Sequence, residues 1–192
     1  GHTKGDTVVW LPQDRVLVGI VATLRSWKGH AFLLEAMARL PEKYELVIVG
    51  DGPQRAALEQ MVVKLDLRGR VRMQGQQADV LPWLRALDIF ALPSFANEGV
   101  PQALVQAMLV ELPCVTTAVG GIPEVAEHER TALVVPPRDV AALAAAIERL
   151  GGDAGLRTEL GQAARKHCVE GYSYDRMLDR MELIYRNVAG IF

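Results

Sequence analysis

Cysteine is nearly absent, with two thiols, Cys114 and Cys168, in 192 residues. They stand far apart, without a Cys-x-x-Cys pair or neighbouring His ligands, so no zinc site is indicated and nothing suggests an oxidising compartment. Cys114 lies in an apolar run and reads as a small core residue. Histidine is scarce too: His2, His30, His128 and His167 lack ligand spacing and read as surface or packing residues. There is no carboxylate cluster suited to Mg²⁺. Asp51 and Asp79 are isolated and read as turn and capping residues, and Glu124 and Asp139 as helix-start residues. No apolar run approaches the ~18–20 residues of a membrane span. Basic stripes are missing and the net charge is −2, which sets nucleic acid aside as a partner.

Several motifs are also missing. No Gly-x-x-x-x-Gly-Lys-Ser/Thr occurs, which excludes a P-loop hydrolase, and no Gly-x-Ser-x-Gly marks a nucleophile elbow. The turn Gly50-Asp51-Gly52-Pro53-Gln54-Arg55 lacks the third glycine of a dinucleotide fingerprint, which disfavours a nicotinamide cofactor. There is no internal repeat, low-complexity segment or clear linker. Gly1 to Asp6 is short and polar and is no signal peptide. Residues 1–14 read as a tail or a cloning remnant. The missing initiating Met suggests a piece of a longer protein. Residues 15–192 read as one domain.

What remains is ordinary globular composition, 50% hydrophobic and 23% charged. Arg15 to Ala22 and Tyr44 to Val49 are near-continuous apolar runs, the pattern of parallel strands covered on both faces. Further strands are expected at Arg70 to Gln74, Asp88 to Leu92, Leu112 to Thr117 and Thr131 to Val135. Helical periodicity runs from Trp27 to Leu40, Gln54 to Leu67 and Ala78 to Ala86, and again from about Pro101. Ile122 to Ala126 reads as a helical turn. Asp139, Asp153 and Ser173 or Asp175 are placed to cap three closing helices, reaching about Leu150, Cys168 and Val188. Strand and helix alternate about six times. That predicts a doubly wound, Rossmann-like α/β sheet of about six parallel strands with extra C-terminal helices.

In such a sheet ligands bind beyond the carboxyl ends of the strands. Those ends carry Thr23 to Gly29, Gly50 to Gly52, Gly75 and Gln76, Ser94 to Gly99, and Gly120 to Glu124. Arg25 and Lys28 lead into a helix, and two cations at a helix start suit a phosphate. Gly120-Gly121 offers exposed backbone N–H groups, a second anion cradle. Two cradles across one rim suit a diphosphate. The bland alternative makes each a solvated loop or turn residue. The helix after Pro101 is apolar on nearly every face and is expected to be buried, which would leave Gln106 a buried amide in need of partners.

Taken in order, Thr23-Leu-Arg-Ser-Trp-Lys28-Gly29, Leu46 to Pro53, Val71 to Gly75, Asp88 to Ser94, Glu98-Gly-Val-Pro-Gln-Ala-Leu-Val-Gln-Ala-Met108, Leu112-Pro113 and Val119-Gly-Gly-Ile-Pro-Glu124 form a specific set. With them the chain resembles, over about Val16 to Val188, the C-terminal, donor-binding half of a family-4 retaining glycosyltransferase of the GT-B architecture. The resemblance implies a nucleoside-diphosphate sugar as substrate, linked to UDP, GDP or ADP, and no required cofactor or metal. It implies Lys28 on the donor diphosphate with Arg25, Gly120 and Gly121 close by, and Glu98 with Gly99 at the sugar. Gln106 would meet the ribose, and Gly75 and Gln76 the base. Glu98, Lys28 and Arg25 would be the catalytic group, withdrawing charge from the departing diphosphate.

The chain departs from the family pattern at Ala22 and Thr23, where Gly and Arg are usual, and at Gln106 in place of the second glutamate. Arg25, two residues after Thr23, would be the substitute for the missing arginine. The acceptor, a sugar or lipid-linked glycan, would sit on an N-terminal domain. The fragment alone is then expected to transfer little. A cytoplasmic enzyme of cell-envelope polysaccharide synthesis, with peripheral membrane association of the full-length protein, accompanies this reading. The alternatives are a nucleotide-sugar epimerase or sugar phosphorylase of the same architecture, or a non-catalytic flavodoxin-like module. The last helix would cross back to the other domain and leave an uncovered face.

Overall fold

Apolar runs that cannot face water on either side become the inner strands of a parallel sheet. The computed structural model describes residues 15–190 and shows six strands: β1 (Val16–Val21), β2 (Tyr44–Val49), β3 (Val71–Gly75), β4 (Ile89–Leu92), β5 (Cys114–Thr117) and β6 (Leu133–Val135). Every residue of β1, β2, β4 and β5 is buried. All pairings are parallel, in the order β3-β2-β1-β4-β5-β6. The chain winds outward from β1 to β3, then crosses back to place β4 on the other side of β1. The strand order therefore reverses between β1 and β4, where their diverging loops leave a crevice. The expected tail, residues 1–14, lies outside the described residues.

Seven helices complete the described fold: α1 (His30–Arg39), α2 (Arg55–Lys64), α3 (Leu81–Arg85), α4 (Gln102–Leu109), α5 (Val140–Gly152), α6 (Ala154–Tyr172) and α7 (Tyr174–Ala189). α1 packs on α2 and α5, and α4 on α6 and α3. Asp139 accepts from Ala142 N–H, Asp153 from Leu156 N–H and Ser173 from Arg176 N–H, so all three expected caps form. Each such cap contributes ~1 kcal/mol. The first helix starts later than its periodicity suggests. Ser26–Lys28 form a separate 3-10 turn, and Gly29, at φ +78°, turns the chain before α1.

Two expectations about α4 are corrected. Pro101 is extended and caps the helix instead of opening it. The helix is also not buried all round: Leu104, Ala107 and Met108 form its inner stripe, while Gln106 is exposed. The inner stripe meets α6, where Met108 Sδ lies 3.8 Å from Cys168 Sγ. The outer side faces a groove towards α7, so its apolar residues are not all matched by neighbours. α7 has no buried residue, and Leu183 (61%) and Val188 (83%) are open to solvent, as expected of a helix with an uncovered face.

Candidate functional site

The loop after β1 is held in place before any functional group is considered. Leu24 is fully buried, its N–H donates to Asp51 O at 3.0 Å, and its carbonyl accepts from Gln54 N–H at 3.0 Å. The Gly50–Pro53 turn thus braces this loop. A Cβ on Gly50 would fall 2.1 Å from Ala22 O, so only glycine allows the approach. The loops after β1 and β4 are joined directly, with Phe95 N–H donating to Trp27 O at 2.8 Å. Gly29 packs so closely on Pro93 that a Cβ would fall 2.0 Å from its carbonyl oxygen. Phe95 meets Phe32 edge-on at 5.7 Å, and the Arg138 guanidinium lies 4.4 Å from the Phe95 ring centre.

This brace brings Lys28 and Glu98 together at the crevice, although they are 70 positions apart in sequence. Lys28 Nζ lies 2.8 Å from Glu98 Oε1 and 2.9 Å from Oε2. The Glu98 side chain is only 4% exposed and that of Lys28 20%. Ser94, four residues earlier and fully buried, donates its hydroxyl to Glu98 Oε1 at 2.6 Å. Thr117, at the end of β5, in turn donates its hydroxyl to the Ser94 carbonyl. The relay Thr117–Ser94–Glu98–Lys28 spans the ends of three adjacent strands. Ser94 and Thr117 received no role from the sequence; the one available signal was the four-residue spacing of Ser94 and Glu98 in a strand-to-helix turn.

Gly120 and Gly121 do reach this site, but not as a free anion cradle. Gly121 N–H donates to Glu98 O at 3.0 Å. A Cβ on Gly120, at φ +56°, would fall 2.0 Å from Glu98 O, and one on Gly121 2.7 Å from Gly99 C. The pair clamps the Glu98–Gly99 backbone, and its glycines are needed for that close approach. The expected exposed N–H of Gly121 is already committed to the protein.

Arg25, Gln106, Gly75 and Gln76 stand outside this contact set. Arg25 is exposed and stacks 5.5 Å from the Trp27 ring centre. Among the described residues it makes no ion pair. Gly75, at φ +70°, turns the chain after β3, and its carbonyl accepts from Gly50 N–H at 2.8 Å; Gln76 is exposed beside it. Gln106, expected to be a buried amide, instead lines the groove of about 520 Å³ between α4 and α7, with Val100, Val105, Met177 and Met181. Val100, two residues after Glu98 in sequence, is the lining residue nearest in the chain to the Lys28–Glu98 pair, and neither member of the pair lines the groove.

His30 opens α1 directly behind this loop. It is 2% exposed, and neither ring nitrogen has a partner. Burial and the Lys28 charge push its pKa down to about 4, so it is neutral at pH 7. Among the described residues no group of three His, Cys, Asp or Glu could hold a metal ion, and no helix is long and apolar enough to cross a membrane. Chemically, the crevice offers one ammonium at a helix start and one shielded carboxylate. That combination can hold an anion on one side and hydroxyl groups on the other.

Comparison with known proteins places the fold in a family. The family model for glycosyl transferases group 1 matches residues 15–153. The N-acetyl-alpha-D-glucosaminyl L-malate synthase of Bacillus anthracis is 30% identical over 177 residues, 91% of this chain and 46% of that protein. The lipopolysaccharide core biosynthesis glycosyltransferase LpsE of Rhizobium meliloti is 32% identical over 168 residues, 88% of this chain and 49% of that protein. Among solved structures, Anabaena HepE in complex with UDP and glucose superposes with a TM-score of 0.82 at 26% identity, covering 91% of this chain and 48% of that one. The chain spans about half the length of the curated relatives it matches.

Proposed function

The chain belongs to the group 1 glycosyl transferases, as a C-terminal domain of GT-B architecture, and on that premise we propose that it binds a nucleoside-diphosphate sugar for glycosyl transfer with retention of anomeric configuration. The observation that carries the reading is the Lys28–Glu98 pair at the point where the strand order reverses. In this reading Lys28, at the start of α1, takes the diphosphate and stabilises the negative charge that grows as the sugar departs. Glu98, held by Ser94, accepts hydrogen bonds from the sugar hydroxyls. Gly99, Gly120 and Gly121 shape the backbone against which the sugar phosphate lies. Gln106 meets the ribose from the wall of the groove as both donor and acceptor. Gly75 and Gln76 frame the base.

For the base we favour uracil, because HepE was crystallised with UDP and with UDP-glucose. Arg25 is assigned a supporting role, because it lies three residues before Lys28 on the same loop, with its guanidinium over the Trp27 ring. Neither metal nor cofactor is assigned a step. An N-terminal half would hold the acceptor, so residues 15–192 form the donor half of a two-domain enzyme and transfer little alone. Cytoplasmic residence of that enzyme, at the inner face of the membrane, is part of the same proposal.

The test is thermal melting with UDP, GDP and ADP at millimolar concentration. A ligand that binds only the folded chain stabilises it by RT ln(1 + [L]/Kd), about 1.4 kcal/mol at ten times Kd. We expect UDP to raise the Tm and Lys28→Ala to abolish the rise. No shift with any of the three, nor with UDP-glucose at the same concentration, refutes the donor reading.

A further inference from the structure

The two groups that a donor needs are bound to each other, and this has a consequence that rests on the donor reading above. Glu98 is shielded from water, and its acceptor sites are met by Lys28 Nζ on both oxygens and by the Ser94 hydroxyl on Oε1. Ser94 cannot follow a departing lysine, because it is buried and its backbone carbonyl is tied to Thr117. A diphosphate recruits Lys28 by drawing Nζ off Glu98. The carboxylate then keeps one hydroxyl partner in a nearly dry setting, and a buried charge stripped of its counter-ion is strongly unfavourable. What happens next depends on what the diphosphate carries.

A sugar-free diphosphate brings only acceptor oxygens and negative charge. It replaces nothing at Glu98 and repels it. A diphosphate that still carries its sugar brings hydroxyl donors, which take over the positions Lys28 has left. We propose that Glu98 is a selectivity residue, its ion pair with Lys28 weakening sugar-free nucleoside diphosphate relative to the sugar-bearing donor. The clamp by Gly121 N–H on Glu98 O fixes the backbone from which the carboxylate reaches Lys28, and the Ser94 hydroxyl holds the carboxylate itself. In the transfer reaction the same competition favours release of the diphosphate once its sugar has gone.

Calorimetric titration of UDP, UDP-glucose and inorganic pyrophosphate into the chain, Glu98→Gln and Glu98→Ala tests this. Pyrophosphate reports on Lys28 whatever the base preference. With the competing charge removed, both variants are expected to bind UDP and pyrophosphate at least about ten-fold tighter than the unaltered chain, the factor that one charge-assisted contact represents, and to show no such gain for UDP-glucose. If the unaltered chain binds and the folded variants bind UDP and pyrophosphate equally or more weakly, the selectivity role is overturned while the donor site stands. If no protein binds any of these ligands, both fall. A check that needs no variant follows the Lys28 side-chain and Glu98 carboxyl resonances by NMR as pyrophosphate is added to the unaltered chain. Both are expected to move together, and a Lys28 shift without a Glu98 shift overturns the exchange.

Discussion

Replacing Lys28 by Met is expected to destabilise the fold more than replacing both members of its ion pair. Met preserves most of the apolar stem and removes the ammonium. Glu98, with a side chain only 4% exposed, is then left charged with Ser94 as its hydrogen-bond partner. Breaking a buried ion pair from one side costs ~3–5 kcal/mol. The Lys28 side chain is one-fifth exposed and Ser94 stays in place, which points to a value at or just below the bottom of that range, about 2–3 kcal/mol. Glu98→Gln leaves the lysine, which can turn to water, and an amide that still accepts from Ser94, for about 1 kcal/mol. The double variant Lys28→Met/Glu98→Gln leaves no unpaired charge and should lose no more than about 1 kcal/mol. At ~2–4 °C per kcal/mol for a chain of this size, Lys28→Met lowers the Tm by roughly 4–12 °C and the double variant by a few degrees at most. Urea unfolding with an unchanged m-value provides the ΔΔG values. A double variant as unstable as the sum of the two singles refutes the account, because it would mean that the charges do not compensate each other.

Gly29→Ala should cost about 2–4 kcal/mol, since an alanine at φ +78° is strained and its Cβ would strike the Pro93 carbonyl at 2.0 Å. UDP binding is expected to weaken with it, because the collision parts the two loops that carry Lys28 and Glu98; a variant within 0.5 kcal/mol of the parent in urea, ~0.5 being the scatter of neutral surface changes, refutes this. His30, held at about 4 by burial and by Lys28, is neutral when folded, whereas the unfolded imidazole protonates near 6.5. Its stabilising contribution is therefore complete above pH 6.5 and is lost as the pH falls from 6.5 towards 4, by about 3 kcal/mol at the lower end. Urea midpoints across that range should fall more steeply for the parent than for His30→Leu, and equal slopes refute the assignment.

Much of the scaffold was legible residue by residue. β1 and β2 announce themselves because a parallel strand covered on both faces has no polar position to show. Asp139, Asp153 and Ser173 mark their helices because a cap is a local hydrogen bond within three residues. The first helix begins later than its periodicity suggests because Gly29 turns the chain for a tertiary reason, its contact with Pro93, which no local pattern announces. Gln106 is exposed, against the expectation from its helix, for the same kind of reason. An apolar helix suggests burial, but burial needs neighbours on every side, and α4 has packed ones only along Leu104, Ala107 and Met108.

The sequence by itself determined the order of strands and helices, and through the motif around Glu98 the family and the residues that gather at the carboxyl edge. The element order follows from periodicity, capping chemistry and composition, all short-range properties, whereas the family follows from the resemblance carried by the motifs. Only the tertiary structure decided that Lys28 and Glu98 neutralise each other, that Ser94 and Thr117 hold the carboxylate, that Gly121 clamps the Glu98 backbone and that Arg25 rests on Trp27. The reason is physical. Whether a charge meets phosphate, solvent or another side chain depends on which strand ends lie side by side, and that is set by the reversal of strand order between β1 and β4.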